Sequence, residues 1–479
     1  MASFLWYDLE TFGTDPRRSR IAQFAGIRTT TDLEPVGEPV ELFCRPADDL
    51  LPSPQAVLVT GITPQQALAR GEPEATFMAR VNEVLSEPGT CAVGYNSLRF
   101  DDEFVRHGLF RTFHDPYERE WRNGNSRWDL LDHMRLMHAL RPDGLSWPRR
   151  EDGHTSFRLE HLTAANGIEH GRAHDAMADV EALIALARKA RDAQPRLWDY
   201  YLRLRDKRAA ARVVDVANQV PLLHVSGRYP ASRHCAALVL PITRHPAIDS
   251  RVVCFDLDCD PHDLLHLSAG DIAQRLYTPL DELPEGAARV PLKEIHLNKV
   301  PALVPLEHLR EADYQRLGID LAACLANAEA IRRSNGLPEK VRRVFESNAF
   351  PPAGDVDASL YDGFLPDADR RQFPALRATP PQQLGTAGFR FQDRRLDELL
   401  FRYRARNWPD TLSDAERRRW DDTRRARLVD DDGSAELGFT AYFELIGTLS
   451  ADPGTRPEQR ALLQALEDWG RGLRATLPS

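Results

Sequence analysis

Residues 4–11, Phe4-Leu5-Trp6-Tyr7-Asp8-Leu9-Glu10-Thr11, make a compact aromatic and aliphatic run with no glycine or proline, broken only by two carboxylates. Such a run predicts a β-strand. Side chains alternate faces along a strand, so Asp8 and Glu10 project to the same side of the sheet. Both stand at the end of an apolar strand, where unpaired charge costs on the order of several kcal/mol. A divalent cation is the natural compensation, and Mg²⁺ or Mn²⁺ prefers oxygen ligands. Taken alone the pair is weak evidence, because two acids at a strand exit are more often simply solvated.

Outward from this strand, PVELFC (39–44) and TCAVGYN (90–96) read as further strands. Between them, residues 74–87 carry Phe77, Val81, Val84 and Leu85 at helical spacing. Residues 175–190 form a stronger helix, with Ala176, Val180, Leu183, Ile184 and Ala187 on one stripe. Strands interleaved with helices predict an α/β domain, a mixed sheet flanked by helices, over 1–194. The character changes at Gln194-Pro195. A helix-like stretch over 199–216 is followed by short β-rich runs, PLLHVSG, CAALVLPI and RVVCFDLD, as in a small barrel or sandwich. Helical patterns return at 321–333 and 339–347, closing a second domain over 195–346. NAFPPAGDVDAS (348–359) reads as a linker within a third segment, 347–479, that is otherwise helical and charged. There a capping box at Ser413 and Glu416 opens an Arg-rich helix, whose default reading is a solvated face.

Bulk properties bound the function. A chain of 479 residues predicts two or three cores, and 42% hydrophobic with 28% charged residues excludes global disorder. The N-terminus has no basic leader ahead of its short apolar run, and no apolar stretch approaches bilayer length, so no signal peptide or membrane span is expected. Six scattered cysteines without a C-x-x-C pair suit reduced thiols in the cytoplasm and argue against zinc. The net charge of −10 does not veto a nucleic-acid partner, since a basic groove can sit on an acidic protein and a nuclease needs carboxylates.

A further acid follows the strand TCAVGY. In Asn96-Ser97-Leu98-Arg99-Phe100-Asp101-Asp102 the asparagine can fix the turn, Phe100 can bury beneath a site, and Asp101 is presented at a helix start. Capping of that helix is a fair alternative for either aspartate. The last element is His174-Asp175-Ala176-Met177-Ala178-Asp179, a histidine ahead of a helix and an acid five residues later, with small residues that allow close approach to the sheet. Each element alone has a bland reading. Together, in this order, they form D-x-E, N-x-x-x-F-D and H-x-A-x-x-D.

These motifs resemble the DEDDh signature of 3′→5′ exonucleases. The strings ETFGT, LVTGITP, GYNSLRFDDE, NSRWDLLD, SFRLEHLTAANGIEH, AHDAMADV, HVSG, LYDGF and FRYRARN extend the resemblance to the bacterial exonuclease I family across nearly the whole chain. The resemblance implies an RNase H-like exonuclease domain, then an SH3-like domain and an all-helical C-terminal domain that enclose one DNA strand. It implies processive 3′→5′ hydrolysis of single-stranded DNA to nucleoside 5′-monophosphates, in DNA repair and recombination. Asp8, Glu10, Asp101 and Asp179 would hold two Mg²⁺ ions (Mn²⁺ as an alternative), with Asp8 as the bridge, and His174 would accept the proton of the attacking water. Asp102 and Asp175 fall outside this metal set. Glu10, Thr11, Phe12 and Arg158 are implied to touch substrate. Arg106, Tyr117, Trp121, Arg135, Lys207 and Tyr361 would line the strand's path, with Tyr403, Arg404 and Arg406 in its wall. Arg141 and Tyr200 match a patch that binds the acidic tail of single-stranded-DNA-binding protein, although Val220 stands where the family can carry lysine. A monomer is expected. The rival readings are a DEDDh enzyme acting on short RNA and an inactive DNA-binding scaffold.

Overall fold

The computed structural model describes residues 2–171, 175–346 and 352–478. The opening run is a strand, β1 (Ser3–Thr11), and it is central: with β2 (Ile21–Thr29), β3 (Val40–Phe43), β4 (Thr90–Gly94) and β5 (Ser126–Asp129) the sheet order is β3-β2-β1-β4-β5. A strand covered on both faces reads as a continuous apolar run, which is why β1 stands out in the sequence. It pairs antiparallel with β2, from Phe4↔Thr29 to Thr11↔Ile21, and parallel with β4 only from Ser3↔Thr90 to Trp6↔Val93. The sheet is therefore mixed, as expected. β2 was not anticipated, because Gln23, Gly26 and Arg28 dilute its apolar signal; its long pairing with β1 holds it. The helix Glu74–Ser86 buries Phe77, Met78, Val81 and Leu85 against Leu5, Tyr7, Phe104 and Leu109.

The chain forms two compact units. The first comprises Met1–Ser126, His170–Ile184 and Pro352–Ser479, and the second Arg127–Glu169 and Ala185–Pro351. In the second unit, β6 (Leu222–Val225), β7 (Ala236–Arg244), β8 (Arg251–Asp256), β9 (Leu292–His296) and β10 (Ala302–Pro305) make an antiparallel sheet of order β10-β6-β7-β8-β9. Cys324, Ala328 and Ile331 of the helix Leu321–Arg333, with Val341 and Val344 of Leu337–Glu346, close its core over Leu238, Leu240, Val253 and Phe255. The helical stretch expected over 199–216 is two helices, Pro195–Arg203 and Lys207–Val213. Asp206 breaks it, its carboxylate accepting the N–H groups of Arg208 and Ala209.

Two expectations for the C-terminal segment change. Residues 348–351 of the expected linker lie outside the described residues, but from Asp355 onward the chain is anchored. Asp355 caps a short 3-10 helix, Val356–Tyr361, and Asp357, buried at 1% exposure, pairs with Arg402, Arg406 and Arg427. Asp49 joins the same network through Arg406 and Arg427. Turn-forming composition marked the segment as loose, whereas its acids find their partners 45 to 72 positions away. The Arg-rich helix Asp414–Leu428 carries the expected capping box, with Ser413 Oγ accepting the Glu416 N–H at 3.3 Å. Its face is not wholly solvated, because Arg424 and Arg427 are buried. Below it, Leu428, Phe439, Tyr442, Ile446 and Leu463 pack in one apolar layer with Phe12, Ala22, Leu51 and Val57.

Candidate active site

The end of β1 positions the first two acids. Asp8 and Glu10 meet Asp179 from the helix Ala176–Ala193, and the three present carboxylate oxygens that all lie within 4.8 Å of one another. Ala176 is fully buried, so nothing larger than a methyl separates the helix start from the core. Asp101 begins the helix Asp101–Arg111, where a negative charge suits the helix dipole, and it is 4% exposed. Because β4 accompanies β1 only as far as Trp6, the N–H of Leu9 lies beyond that strand pairing, and Asp101 Oδ1 accepts it at 3.2 Å. Asn96 makes the turn before it in a left-handed conformation (φ 63°), and Phe100, expected to bury beneath the site, is half-buried and packs on Phe104.

Asp102 is excluded from the cluster by its own bonds: it accepts the Tyr7 hydroxyl at 2.9 Å and Arg119 Nη2 at 2.6 Å. Asp175 acts at the helix start, accepting the N–H of Met177 at 3.2 Å. His174 lies outside the described residues. Another histidine, His170, is missing from the sequence reading; its Nε2 contacts Asp179 Oδ1. Only the Glu169-His170 pair at the end of the string SFRLEHLTAANGIEH could have signalled it, and that string has no metal-ligand spacing of its own.

Electrostatics show what the cluster suits. Burial raises the Asp8 carboxyl well above the carboxylate range, and the charges of Asp101, Glu10 and Asp179 add to this. Burial, then Asp179, Asp101 and Asp175, pushes Glu10 up to about 9. Converging oxygen donors that repel one another suit a divalent cation, and the donor chemistry suits Mg²⁺ or Mn²⁺. The residues present fit such a group.

The remaining predicted residues divide by exposure. Thr11 is buried, its hydroxyl donating to Gly13 O at 2.7 Å. Phe12 lies in the apolar layer rather than at the surface. Arg106, 5% exposed, forks onto Glu120 at 2.7 and 2.9 Å, bonds Glu103 at 2.9 Å and lies 5.3 Å from the Tyr117 ring centroid. Its Nη1 also donates to Tyr361 Oη at 3.3 Å, while the Tyr361 hydroxyl bonds Glu103. Trp121 and Tyr361 are exposed, at 64% and 54%. Of the FRYRARN side chains, Tyr403 packs against Phe113 and Trp408, Arg404 holds Glu416 at 2.6 Å, and Arg406 belongs to the Asp49–Asp357 network. All three are buried, because each finds a partner inside the fold that sequence spacing does not reveal.

In the second unit, the Arg158 side chain is 73% exposed at the start of the helix Leu159–Ala165. Arg135 bonds Asp132 at 2.8 Å, and Lys207 is exposed at the head of its helix. Arg141 pairs with Asp313 at 2.7 Å, the Tyr200 hydroxyl donates to Leu303 O at 2.7 Å, and Val220 is exposed.

Comparison with known proteins agrees along the chain. Residues 5–187 match a family described as exonuclease, 205–347 the exonuclease I SH3-like domain and 354–473 the exonuclease I C-terminal domain. Exodeoxyribonuclease I of Escherichia coli K12 is 48% identical over 466 residues, 97% of each chain. A moderately thermophilic exonuclease I from Methylocaldum szegediense superposes with a TM-score of 0.95 at 48% identity, over 99% of this chain and 100% of that one. The E. coli enzyme in complex with a dA16 oligonucleotide gives 0.95 at 45% identity, with the same coverage. Its zinc-bound single-stranded DNA complex gives 0.94 at 44%, and exonuclease I with single-stranded-DNA-binding protein and an inhibitor gives 0.92 at 43%, again over 99% and 100%.

Proposed function

The chain belongs to the exonuclease I family and is an exodeoxyribonuclease acting on single-stranded DNA, and from that premise we propose how its residues carry out the reaction. The observation that carries the reading is the convergence of Asp8, Glu10 and Asp179, with Asp101 fastened to the strand between the first two. Two Mg²⁺ ions held by these four acids would supply the positive charge that stabilises attacking and leaving oxygens together in phosphodiester hydrolysis. His174 takes the proton of the attacking water, since imidazole titrates near neutral pH. His170 orients Asp179 through its ring nitrogen. Cleavage proceeds from the 3′ end and releases nucleoside 5′-monophosphates.

Thr11 and Glu10 meet the terminal nucleotide, and Phe12 supports them from the core. Trp121 and Tyr361 offer their exposed faces to bases, Arg106, stacked on Tyr117, holds Tyr361 in place, and Arg158, Arg135 and Lys207 serve phosphates. Arg404 braces the C-terminal helices through Glu416. Processivity follows from retention of the strand between cuts. Arg141 and Tyr200 receive the acidic tail of single-stranded-DNA-binding protein. Among the described residues no helix is long and apolar enough to cross a membrane, and we place the enzyme in the cytoplasm with its substrate.

The test is digestion of 5′-end-labelled single-stranded DNA, duplex DNA and RNA of one sequence, with and without Mg²⁺. The expected result is Mg²⁺-dependent 3′ shortening of the single-stranded DNA above the other two. Faster loss of the RNA, or activity indifferent to divalent metal, overturns the assignment.

A further inference from the structure

The strand bearing Asp8 and Glu10 ends irregularly: the β1–β2 register shifts between Glu10 and Thr11, and the chain then turns through residues 12–15. A bulge re-aims the side chains beside it, so whatever fixes this turn also fixes the direction of Glu10. From within, the Thr11 hydroxyl bonds Gly13 O at 2.7 Å, and the Phe12 N–H bonds Arg20 O at 2.9 Å. From outside, the C-terminal segment supplies two holds. One is apolar, the seating of Phe12 with Leu428, Phe439 and Tyr442. The other is Glu436, in the loop ahead of the helix Phe439–Ala451, whose Oε1 accepts the Thr14 N–H at 3.4 Å.

Gly13 shows how close this second hold is. A Cβ built on it would lie 2.0 Å from Glu436 Oε2 and 2.7 Å from Ser19 Oγ, so a side chain at this position would push the Glu436 carboxylate off the turn. Glu436 Oε2 is buried and has no hydrogen-bond partner among the described residues. A carboxylate is an unfavourable group to bury for packing alone. Burial raises its pKa, while the main-chain amides of Thr14 and Asp15 oppose the rise by favouring the charged form.

We propose that Glu436 is a positioning residue: gripping the 12–15 turn, it sets the bulge after Glu10 and thereby aims the Glu10 carboxylate at Asp8 and Asp179. The helical C-terminal segment then shapes the metal site directly, in addition to any contact with DNA. This inference rests on the assignment of the carboxylate cluster as the nuclease centre.

The test compares full-length wild type with Glu436→Ala, Glu436→Gln and Glu436→Asp. Four readouts are needed: kcat and KM on single-stranded DNA, the Mg²⁺ concentration for half-maximal activity, Mn²⁺ affinity by calorimetry without DNA, and the thermal midpoint. Glu436→Ala is expected to lower kcat and Mn²⁺ affinity by about tenfold each, the usual scale for groups that orient metal ligands, with KM for DNA little changed. Glu436→Gln should restore both, because its amide oxygen accepts the same N–H. Glu436→Asp, one methylene too short, should resemble the alanine variant and covers the case in which alanine unfolds the loop. Wild-type kcat and Mn²⁺ affinity in Glu436→Ala or Glu436→Asp, or a glutamine variant as impaired as alanine, overturns the proposal. An inactive wild type would instead strike at the nuclease assignment, and the Mn²⁺ affinities alone would then decide the role of Glu436.

Discussion

Asp101 accepts the main-chain N–H of Leu9 at 3.2 Å, so the third acid is tied to the strand at the residue between Asp8 and Glu10. The bond couples the start of one helix to the strand that carries Asp8 and Glu10. Charge and position can therefore be separated by mutation. Asp101→Asn keeps an oxygen for Leu9 and loses only the charge. It is expected to fold like the wild type and to lose activity by more than about 10²-fold, beyond the scale of groups that merely orient ligands. Asp101→Ala should lose activity to the same extent and about 1 kcal/mol of stability as well, from the missing hydrogen bond. Steady-state rates and thermal melts distinguish the two.

The carboxylate cluster sets an unusual pH dependence for the metal-free protein. Glu10 has a folded pKa of about 9 against 4.5 for the free side chain, and Asp8 shifts in the same direction. Between these values the native state binds more protons than the unfolded one, so this contribution to stability is complete below pH 4.5 and is lost as pH rises towards 9. Melts in EDTA should show stability falling across that window relative to Glu10→Gln. Saturating Mn²⁺ should abolish the difference in slope. Glu10→Gln should also melt higher than metal-free wild type at pH 8 while being inactive. Equal melting of the two in EDTA would contradict the electrostatic reading.

Asp357 lies at the centre of a buried network in which Arg402, Arg406 and Arg427 all contact its Oδ2. Removing one member of such a network leaves its partners buried without compensation, at a cost of about 3–5 kcal/mol. Asp357→Ala is therefore expected to lower the denaturation midpoint substantially, and Asp357→Asn less so. Urea unfolding measures this. A change within about 0.5 kcal/mol, typical of a surface site, would show that the network is not closed in solution.

His133 sits fully buried among Trp128, Trp198 and Tyr201, and neither ring nitrogen has a hydrogen-bond partner among the described residues. Burial alone lowers its pKa from 6.5 to about 3. The folded state keeps the ring neutral while the unfolded chain protonates it. Its contribution is thus fully present above pH 6.5 and is lost as pH falls towards 3. His133→Leu, similar in volume, should flatten the acid limb of the stability profile by up to about 1.4 kcal/mol per pH unit. An unchanged slope between pH 4 and 6 would mean that the ring finds a partner in solution.

Features whose cause is local were legible in the sequence. The uninterrupted run at 4–11, the helical stripe at 176–187 and the Ser413–Glu416 box all appear as read, because each reflects periodicity or a contact within one turn. The convergence of Asp8, Glu10 and Asp179 was legible because their motifs lie at strand and helix ends. Features that depend on distant partners were hidden. Asp355 and Asp357 look like turn residues until Arg402, Arg406 and Arg427 surround them, and Arg404 and Arg406 look like a cationic surface until Glu416, Asp49 and Asp357 take them up. Asp101 and Asp102 are adjacent and alike in sequence, and only the hydrogen bonds from Leu9, Tyr7 and Arg119 assign them different work.

The apolar layer that seats Phe12 beside Phe439 and Tyr442 bears on how this enzyme can be dissected. A fragment cut at residue 194 would keep Asp8, Glu10, Asp101 and Asp179 and yet lay Phe12, Leu51 and Val57 open to water, inviting aggregation in place of activity. Grafting the nuclease segment of one relative onto the helical segment of another would succeed only where both halves of that seam come from the same parent.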